Sequence, residues 1–234
     1  MLEVPDWIAE RVVRRMGRRH VSERIDPART AFVVVDLQKY YTHPGFMAEC
    51  PAARDTFPVV NALADALRQM GGHVVWVKTS ADGADEYWHH YHGRMLNPEA
   101  SARRLRELAS DGPGFAFPEE LDVRGSDVQV IKRCYSAFAP GSSDLNEILE
   151  ARDINTVLIG GTLTNACCET TARDAMVRNY ATIMIEDALS ALSDPEHVNA
   201  LHNWLLHFGD VFSADEAIAR MSSWSSSGGQ ETSP

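Results

Sequence analysis

Four short, almost uninterrupted runs of β-branched and aliphatic residues constrain the fold of this chain more than any other feature. They are TAFVVVD (Thr30 to Asp36), HVVWVKT (His73 to Thr79), NTVLIG (Asn155 to Gly160) and ATIMIED (Ala181 to Asp187). None alternates apolar with polar positions, so each reads as a strand covered on both faces, as in a parallel sheet clothed by helices. A weaker run at Asp127 to Lys132 and a short one at Asp210 to Ser213 bring the expected strands to six. Helical spacing appears at Asp6 to Arg18, at about Phe57 to Met70 (stopped by Gly71-Gly72), and at Ser143 to Glu150, capped by a serine or by Asp144. Strands alternating with helices imply right-handed crossovers. The expected fold is a single-domain α/β, doubly wound (Rossmann-like), with a mostly parallel six-stranded sheet and helices on both faces. The domain should span 1–221, with 1–29 as an N-terminal helical arm and the Ser/Gly-rich 222–234 as a flexible tail.

Composition narrows the function. The 234 residues are 44% hydrophobic and 24% charged, which suits one globular domain. Lys+Arg 22 against Asp+Glu 33 leaves a net charge of −11 and no basic footprint for nucleic acid. No run approaches the roughly 18–20 apolar residues of a membrane span. Met1 to His20 is amphipathic and Arg-rich, without the apolar centre of a signal peptide. Four cysteines (Cys50, Cys134, Cys167, Cys168), two of them adjacent, do not make a disulfide framework. A cytoplasmic protein acting on a small molecule is expected, with neither nucleic acid nor membrane as partner.

Open parallel sheets bind ligands at the carboxyl ends of their strands. Three chemistry-bearing side chains fall at or just past such ends: Asp36, Lys132 and Cys167. Cys167 sits in the first turn of a predicted helix that follows a strand and Gly160-Gly161. Orphan N–H groups and the helix dipole stabilise a thiolate there, and can receive an oxyanion. Thr164 or Asn165 could supply the N-cap, although neither has Glu or Gln three positions on. The competing role for a cysteine is that of a small buried hydrophobe. Cys168, about a hundred degrees further round the helix, is left with that role. Asp36 can exchange a proton with a thiol and then with a leaving group, or be a solvated strand end. Lys132 can favour a thiolate, or simply be solvated. The convergence of the three outweighs each alone.

His89, His90 and His92 raise a zinc reading, since two His at i and i+3 can share a helix face. No HExxH, CxxC or His-to-carboxylate spacing accompanies them, so a solvated or pocket-lining role is preferred. Arg94, Arg103 and Arg104 could hold a carboxylate, with solvated helix faces the preferred reading. No nucleotide-binding motif is present. No metal and no cofactor are expected.

With these residues in view, the chain resembles the isochorismatase-like cysteine hydrolase superfamily over roughly Ala31 to Asp215. The resemblance rests on the Asp in VVVDLQ, the Lys in VIKRCYSAF and, above all, IGGTLTNACCETTARDA. It implies a doubly wound parallel sheet and a catalytic triad of Asp36, Lys132 and Cys167. It also implies a non-proline cis peptide at Thr162-Leu163, with the N–H groups of Leu163 and Cys167 as oxyanion hole. KRCYSAF and TNACCETTARDA are most similar to ureidoacrylate and carbamoyl-type amidohydrolases. Nicotinamidases match less well, because their metal-site segment after the second strand reads Thr79-Ser80-Ala81-Asp82 here. The expected activity is hydrolysis of a C–N bond in a small amide, ureido or carbamoyl substrate through a Cys-linked acyl-enzyme. Gln38, Tyr135, Phe138, Trp88 and Asn165 are candidates to bind substrate, and a homodimer or homotetramer is expected by the same resemblance. Two alternatives stay open: isochorismate-type vinyl-ether hydrolysis, in which Asp36 protonates substrate and no acyl-enzyme forms, and a catalytically silent thiol or binding protein.

Overall fold

A computed structural model describes residues 2–225. In chain order its elements are α1 (Asp6–Met16), β1 (Thr30–Val35), α2 (Lys39–Thr42), α3 (Phe57–Gln69), β2 (His73–Thr79), α4 (Ala84–Tyr87), α5 (Pro98–Glu107), β3 (Val128–Lys132), α6 (Leu145–Glu150), β4 (Thr156–Thr162), α7 (Glu169–Val177), β5 (Ala181–Ser190), α8 (Asp194–His207), β6 (Asp210–Phe212) and α9 (Ala214–Ser225). The six strands form one sheet in the order β3-β2-β1-β4-β5-β6. Every pairing is parallel.

The all-apolar strands are buried on both sides, and alternate residues face opposite cores. On one face Phe32, Val34, Trp76, Leu158 and Ile185 pack against Val60 and Leu63 of α3 and Ala217 and Met221 of α9. On the other, Val33, Val35, Val77, Ile159 and Met184 meet Leu149 of α6, Ala172 of α7 and Leu201 and Trp204 of α8. α3 alone buries Phe57, Val60, Leu63, Ala64 and Leu67. At about 1.5–3 kcal/mol per large side chain, packing rather than intrinsic propensity holds that helix.

The chain winds outward from β1 through β2 to β3, then returns to place β4 on β1's other side. The crevice at the carboxyl ends of β1 and β4 is therefore the switch point where ligands bind in such sheets. β3 and β6 are the edges. As an edge strand β3 leaves Ile131 48% exposed. β5 runs three residues beyond its expected end, past a register shift against β4 between Ile159 and Gly161.

Helix α1 lies on α8, with His202 Nε2 2.8 Å from Glu3 O and Arg15 donating to Leu206 O. At the other end α9 continues to Ser225, so the first four residues of the expected tail are helical. Residues 226–234 of that tail lie outside the described residues. Among the described residues no helix is long and apolar enough to cross a membrane.

Candidate active site

Four neighbouring strand ends, those of β3, β2, β1 and β4, build the site. β1 stops at Val35, and Asp36 turns away with φ 57°, its N–H still donating to Val77 O at 2.9 Å. Left-handed backbone is uncommon outside glycine and costs of order 1–3 kcal/mol. Here it lets the carboxylate lie over the switch point. β2 ends at Thr79 and β3 at Lys132, and these two residues are register partners.

Lys132 is fully buried, and its ammonium is the centre of the cluster. Nζ lies 2.8 Å from Asp36 Oδ2, 2.7 Å from Thr79 Oγ1, 3.0 Å from Cys134 O and 3.5 Å from Cys167 Sγ. Thr79 Oγ1 in turn donates to Asp36 Oδ1 at 2.8 Å. An ammonium has three protons and faces four acceptors, and the sulfur is the farthest of them. The approach of Nζ to Asp36 Oδ2 is an ion-pair contact without hydrogen-bond geometry, so that buried oxygen keeps an unfilled acceptor position among the described residues.

The charges in this cluster sustain one another. Burial by itself would lower the pKa of Lys132, but Asp36 and Cys167 outweigh it and raise the group above its ordinary value. Burial pushes the Cys167 thiol up to about 12, with Lys132 pulling the other way and Asp36 adding to the rise. A helix start on its own favours the thiolate, which is the opposite direction. Desolvation of a side chain only 6% exposed is the larger effect.

The turn that carries the sulfur depends on Gly161. Its φ is 113°, and a Cβ there would stand 2.0 Å from Val35 O, so β4 can approach β1 this closely only without a side chain. The Thr162-Leu163 peptide is cis. A π-helical turn, Thr164–Cys168, then runs directly into α7, so Cys167 lies in a wider turn than the α-helical one expected. Neither proposed N-cap operates: Thr164 Oγ1 pairs with His197 Nδ1 at 2.9 Å, and Asn165 is exposed. Leu163 O instead accepts from Ala166 N at 3.1 Å and Cys168 N at 3.2 Å. Thr171 Oγ1 accepts from Ala137 N at 3.2 Å and so ties α7 to the segment after Lys132.

The remaining expected residues divide. Trp88 and Tyr135 are half-buried and meet edge-on at 4.8 Å, with Tyr91 stacked on Trp88 at 4.5 Å. Gln38 is fully buried and its amide is engaged by backbone groups. Its Nε2 donates to Thr79 O and Phe115 O, both at 3.0 Å, and its Oε1 accepts from Thr79 N at 2.7 Å. Phe138 is buried in the same core cluster as Cys167, tilted against Tyr180 at 5.8 Å.

The histidines do not act together. His89 and His90 are exposed, whereas His92 is buried between Ser101 Oγ and Arg104 Nη1, each 2.9 Å away. Among the described residues no group of three or more His, Cys, Asp or Glu side chains could hold a metal. Arg94 is exposed and Arg103 pairs with Glu107 at 2.7 Å, but Arg104 is only 4% exposed. Thr79 and Arg104 are thus the residues that sequence reasoning undervalued. Thr79 carried the strand-end signal that singled out Asp36 and Lys132.

Sheet order and switch point define a doubly wound, all-parallel α/β fold with its chemistry-bearing side chains gathered at the strand ends. The chain belongs to the isochorismatase family of hydrolases, with the isochorismatase domain matching residues 30–216. It is 31% identical over 215 residues to a ureidoacrylate amidohydrolase, RutB, of Methylobacterium radiotolerans, covering 83% of this chain and 81% of that one. Among solved structures, a cysteine hydrolase from Pseudomonas syringae pv. phaseolicola 1448A superposes with a TM-score of 0.77 at 31% identity, covering 89% of this chain and 99% of that one. The N-carbamoylsarcosine amidase of Thermoplasma acidophilum follows the same fold with a TM-score of 0.62 at 28% identity, covering 80% and 97%.

Proposed function

We propose that the protein hydrolyses a C–N bond of a small amide, ureido or carbamoyl compound through an acyl-enzyme on Cys167. The observation that carries this reading is the contact of one buried ammonium, Lys132 Nζ, with both Asp36 at 2.8 Å and Cys167 Sγ at 3.5 Å. The similarity to an enzyme named for ureidoacrylate and to one named for N-carbamoylsarcosine supports the bond type.

A thiol with its pKa pushed up to about 12 is not a standing thiolate at neutral pH. Its proton leaves as the sulfur attacks, and Asp36 takes it as general base. Lys132 stays cationic and offsets charge on sulfur and carboxylate in turn. Oxyanion stabilisation is assigned to the N–H groups of Leu163 and Cys167, on the turn fixed by Leu163 O. Asp36 then returns the proton to departing ammonia or amine as the tetrahedral adduct collapses to a thioester. Water, deprotonated by Asp36, hydrolyses the thioester, which releases the acid and restores the thiol.

Ammonia release from a panel of small amides, ureido acids and carbamoyl compounds tests this. Wild-type protein turns over at least one member, and Cys167→Ala lowers that rate by about 10³-fold or more while keeping the wild-type circular dichroism. The vinyl-ether reading needs only the proton of Asp36, so an amidase rate that survived loss of sulfur would favour a non-covalent route.

A further inference from the structure

Arg104 is a buried cation without an anion. It lies on α5 at 4% exposure, its Nη1 2.9 Å from His92 Nε2 and its guanidinium carbon 5.6 Å from the Trp88 ring centroid and 5.3 Å from that of Tyr91. Burial and the Arg104 charge both lower the pKa of His92, so the imidazole is neutral, accepts at Nε2 and donates from Nδ1 to Ser101. Among the described residues no carboxylate pairs with Arg104. Glu107, three residues on along the helix, gives Oε1 to Arg103, and its buried Oε2 has no hydrogen-bond partner among the described residues. The groups that act favourably on the Arg104 charge are phenols: Tyr41, Tyr40 and Tyr91.

An unpaired buried guanidinium is costly, and protein interiors ordinarily supply its counter-charge. A second buried group beside it is also unsatisfied. Tyr40 is 1% exposed, its hydroxyl has no hydrogen-bond partner among the described residues, and it is in electrostatic contact with Arg104, Tyr91, Glu107 and Arg103. Among the described residues Arg104 thus donates to the neutral His92 Nε2 and the Tyr41 hydroxyl, while the Tyr40 hydroxyl beside it has no hydrogen-bond partner. The place adjoins the reacting cluster: Trp88 and Tyr91 meet Tyr135, three residues past Lys132, and the Tyr41 phenol feels Asp36, Arg104 and Cys167 together. Trp88, Tyr91 and Tyr135 are half-buried, so these rings are the side on which the buried guanidinium comes nearest to solvent.

We propose that Arg104, with Tyr40 beside it and His92 holding its orientation, is a subsite for the carboxylate of an acyl substrate whose amide or ureido carbonyl lies at Cys167. The proposal rests on the amidohydrolase reading for the position of the carbonyl, and it narrows the substrate class to anionic amides such as ureido acids. A guanidinium and a phenol present N–H and O–H donors to one anion. The surrounding rings exclude water, which costs the anion hydration but strengthens its attraction to the guanidinium, and that attraction is what favours a charged over a neutral group at that end.

Calorimetry on the full-length Cys167→Ala protein, which leaves ligand intact, measures the subsite directly. N-carbamoylglycine is compared with its neutral counterpart N-carbamoylglycinamide. The acid is expected to bind at least about 30-fold more tightly. Adding Arg104→Met removes that preference by weakening the acid and leaves the amide within about threefold, and Arg104→Lys keeps part of it. In wild-type background Arg104→Met raises KM for the acid more than it lowers kcat. Equal binding of the two compounds, failure of both to bind, or equal weakening of both by Arg104→Met overturns the subsite. Should Arg104→Met not fold by circular dichroism, the acid preference of the Cys167→Ala protein and its reduction by Arg104→Lys decide. Ammonia release by wild-type protein reports separately. Turnover without acid preference removes the subsite alone, and acid preference without turnover removes the amidohydrolase reading alone.

Discussion

Lys132 and Thr79 stand opposite each other at the ends of β3 and β2, and the hydroxyl of the one receives the ammonium of the other at 2.7 Å. That hydroxyl passes the interaction on to Asp36 Oδ1 at 2.8 Å, so ammonium and carboxylate are joined twice, once directly and once through Thr79. The register of two parallel strands thus sets the geometry of a buried charge pair. Gln38 secures it by grasping both the N–H and the carbonyl of Thr79.

Thr79→Val keeps the shape and removes the relay. It leaves Asp36 Oδ1 without its donor and takes from Lys132 Nζ its nearest acceptor, at about 2–4 kcal/mol of stability. Activity falls about 10–100-fold because the base is less well held, and Thr79→Ser restores most of both. Urea unfolding and steady-state rates of the two variants check this.

Lys132→Met breaks a pair that is wholly inside the protein. Removing one partner of a buried ion pair costs about 3–5 kcal/mol, whereas replacing both can be nearly neutral. Lys132→Met should therefore lower the urea midpoint strongly, and Asp36→Asn combined with it should recover part of the loss. Both variants are inactive.

Gly161→Ala tests how closely β4 passes β1. A Cβ there overlaps Val35 O, and the backbone φ of 113° disfavours any side chain. Strain of about 1–3 kcal/mol for the dihedral and a comparable amount for overpacking add to about 2–6 kcal/mol. The variant should unfold at markedly lower denaturant, while Gly125→Ala, which meets nothing within 4 Å, should not.

Stability should fall in alkali with a defined sign. The folded Cys167 thiol has its pKa pushed from about 9 to about 12. Below about 9 both folded and unfolded states hold the proton, and the contribution is complete. Between about 9 and 12 only the unfolded state releases it, so stability declines as pH rises, by up to about 1.4 kcal/mol per pH unit. Cys168 and Lys132 are raised as well and act in the same direction. Unfolding free energies at pH 7.5, 9 and 10 should decrease in order, and the decrease should be shallower in Cys167→Ala.

The fold was legible because doubly buried parallel strands leave an unbroken β-branched signature, as at Phe32 to Val35 and Val74 to Val77. Asp36, Lys132 and Cys167 were legible for a related reason: strand ends in such a sheet point at one crevice. Thr79 obeys the same rule, but a threonine closing a strand is also an ordinary β-former. Gln38 and Phe138 lie near the triad in sequence, and only coordinates show that one is consumed by backbone groups and the other by the core. Arg104 sits on a charged helix whose pattern suggests solvent, and its burial arises from Trp88 and Tyr91 of a preceding segment. The high thiol pKa was invisible for the same reason, since desolvation is a property of the packed whole.

Intact-mass spectrometry of protein quenched during turnover tests the central claim most directly. A mass increase equal to the substrate acyl group is expected, located on Cys167 by peptide mapping, discharged by hydroxylamine and absent in Cys167→Ala. Continued amide hydrolysis by Cys167→Ala at near wild-type rate, or an acyl group found only on another residue, would contradict it.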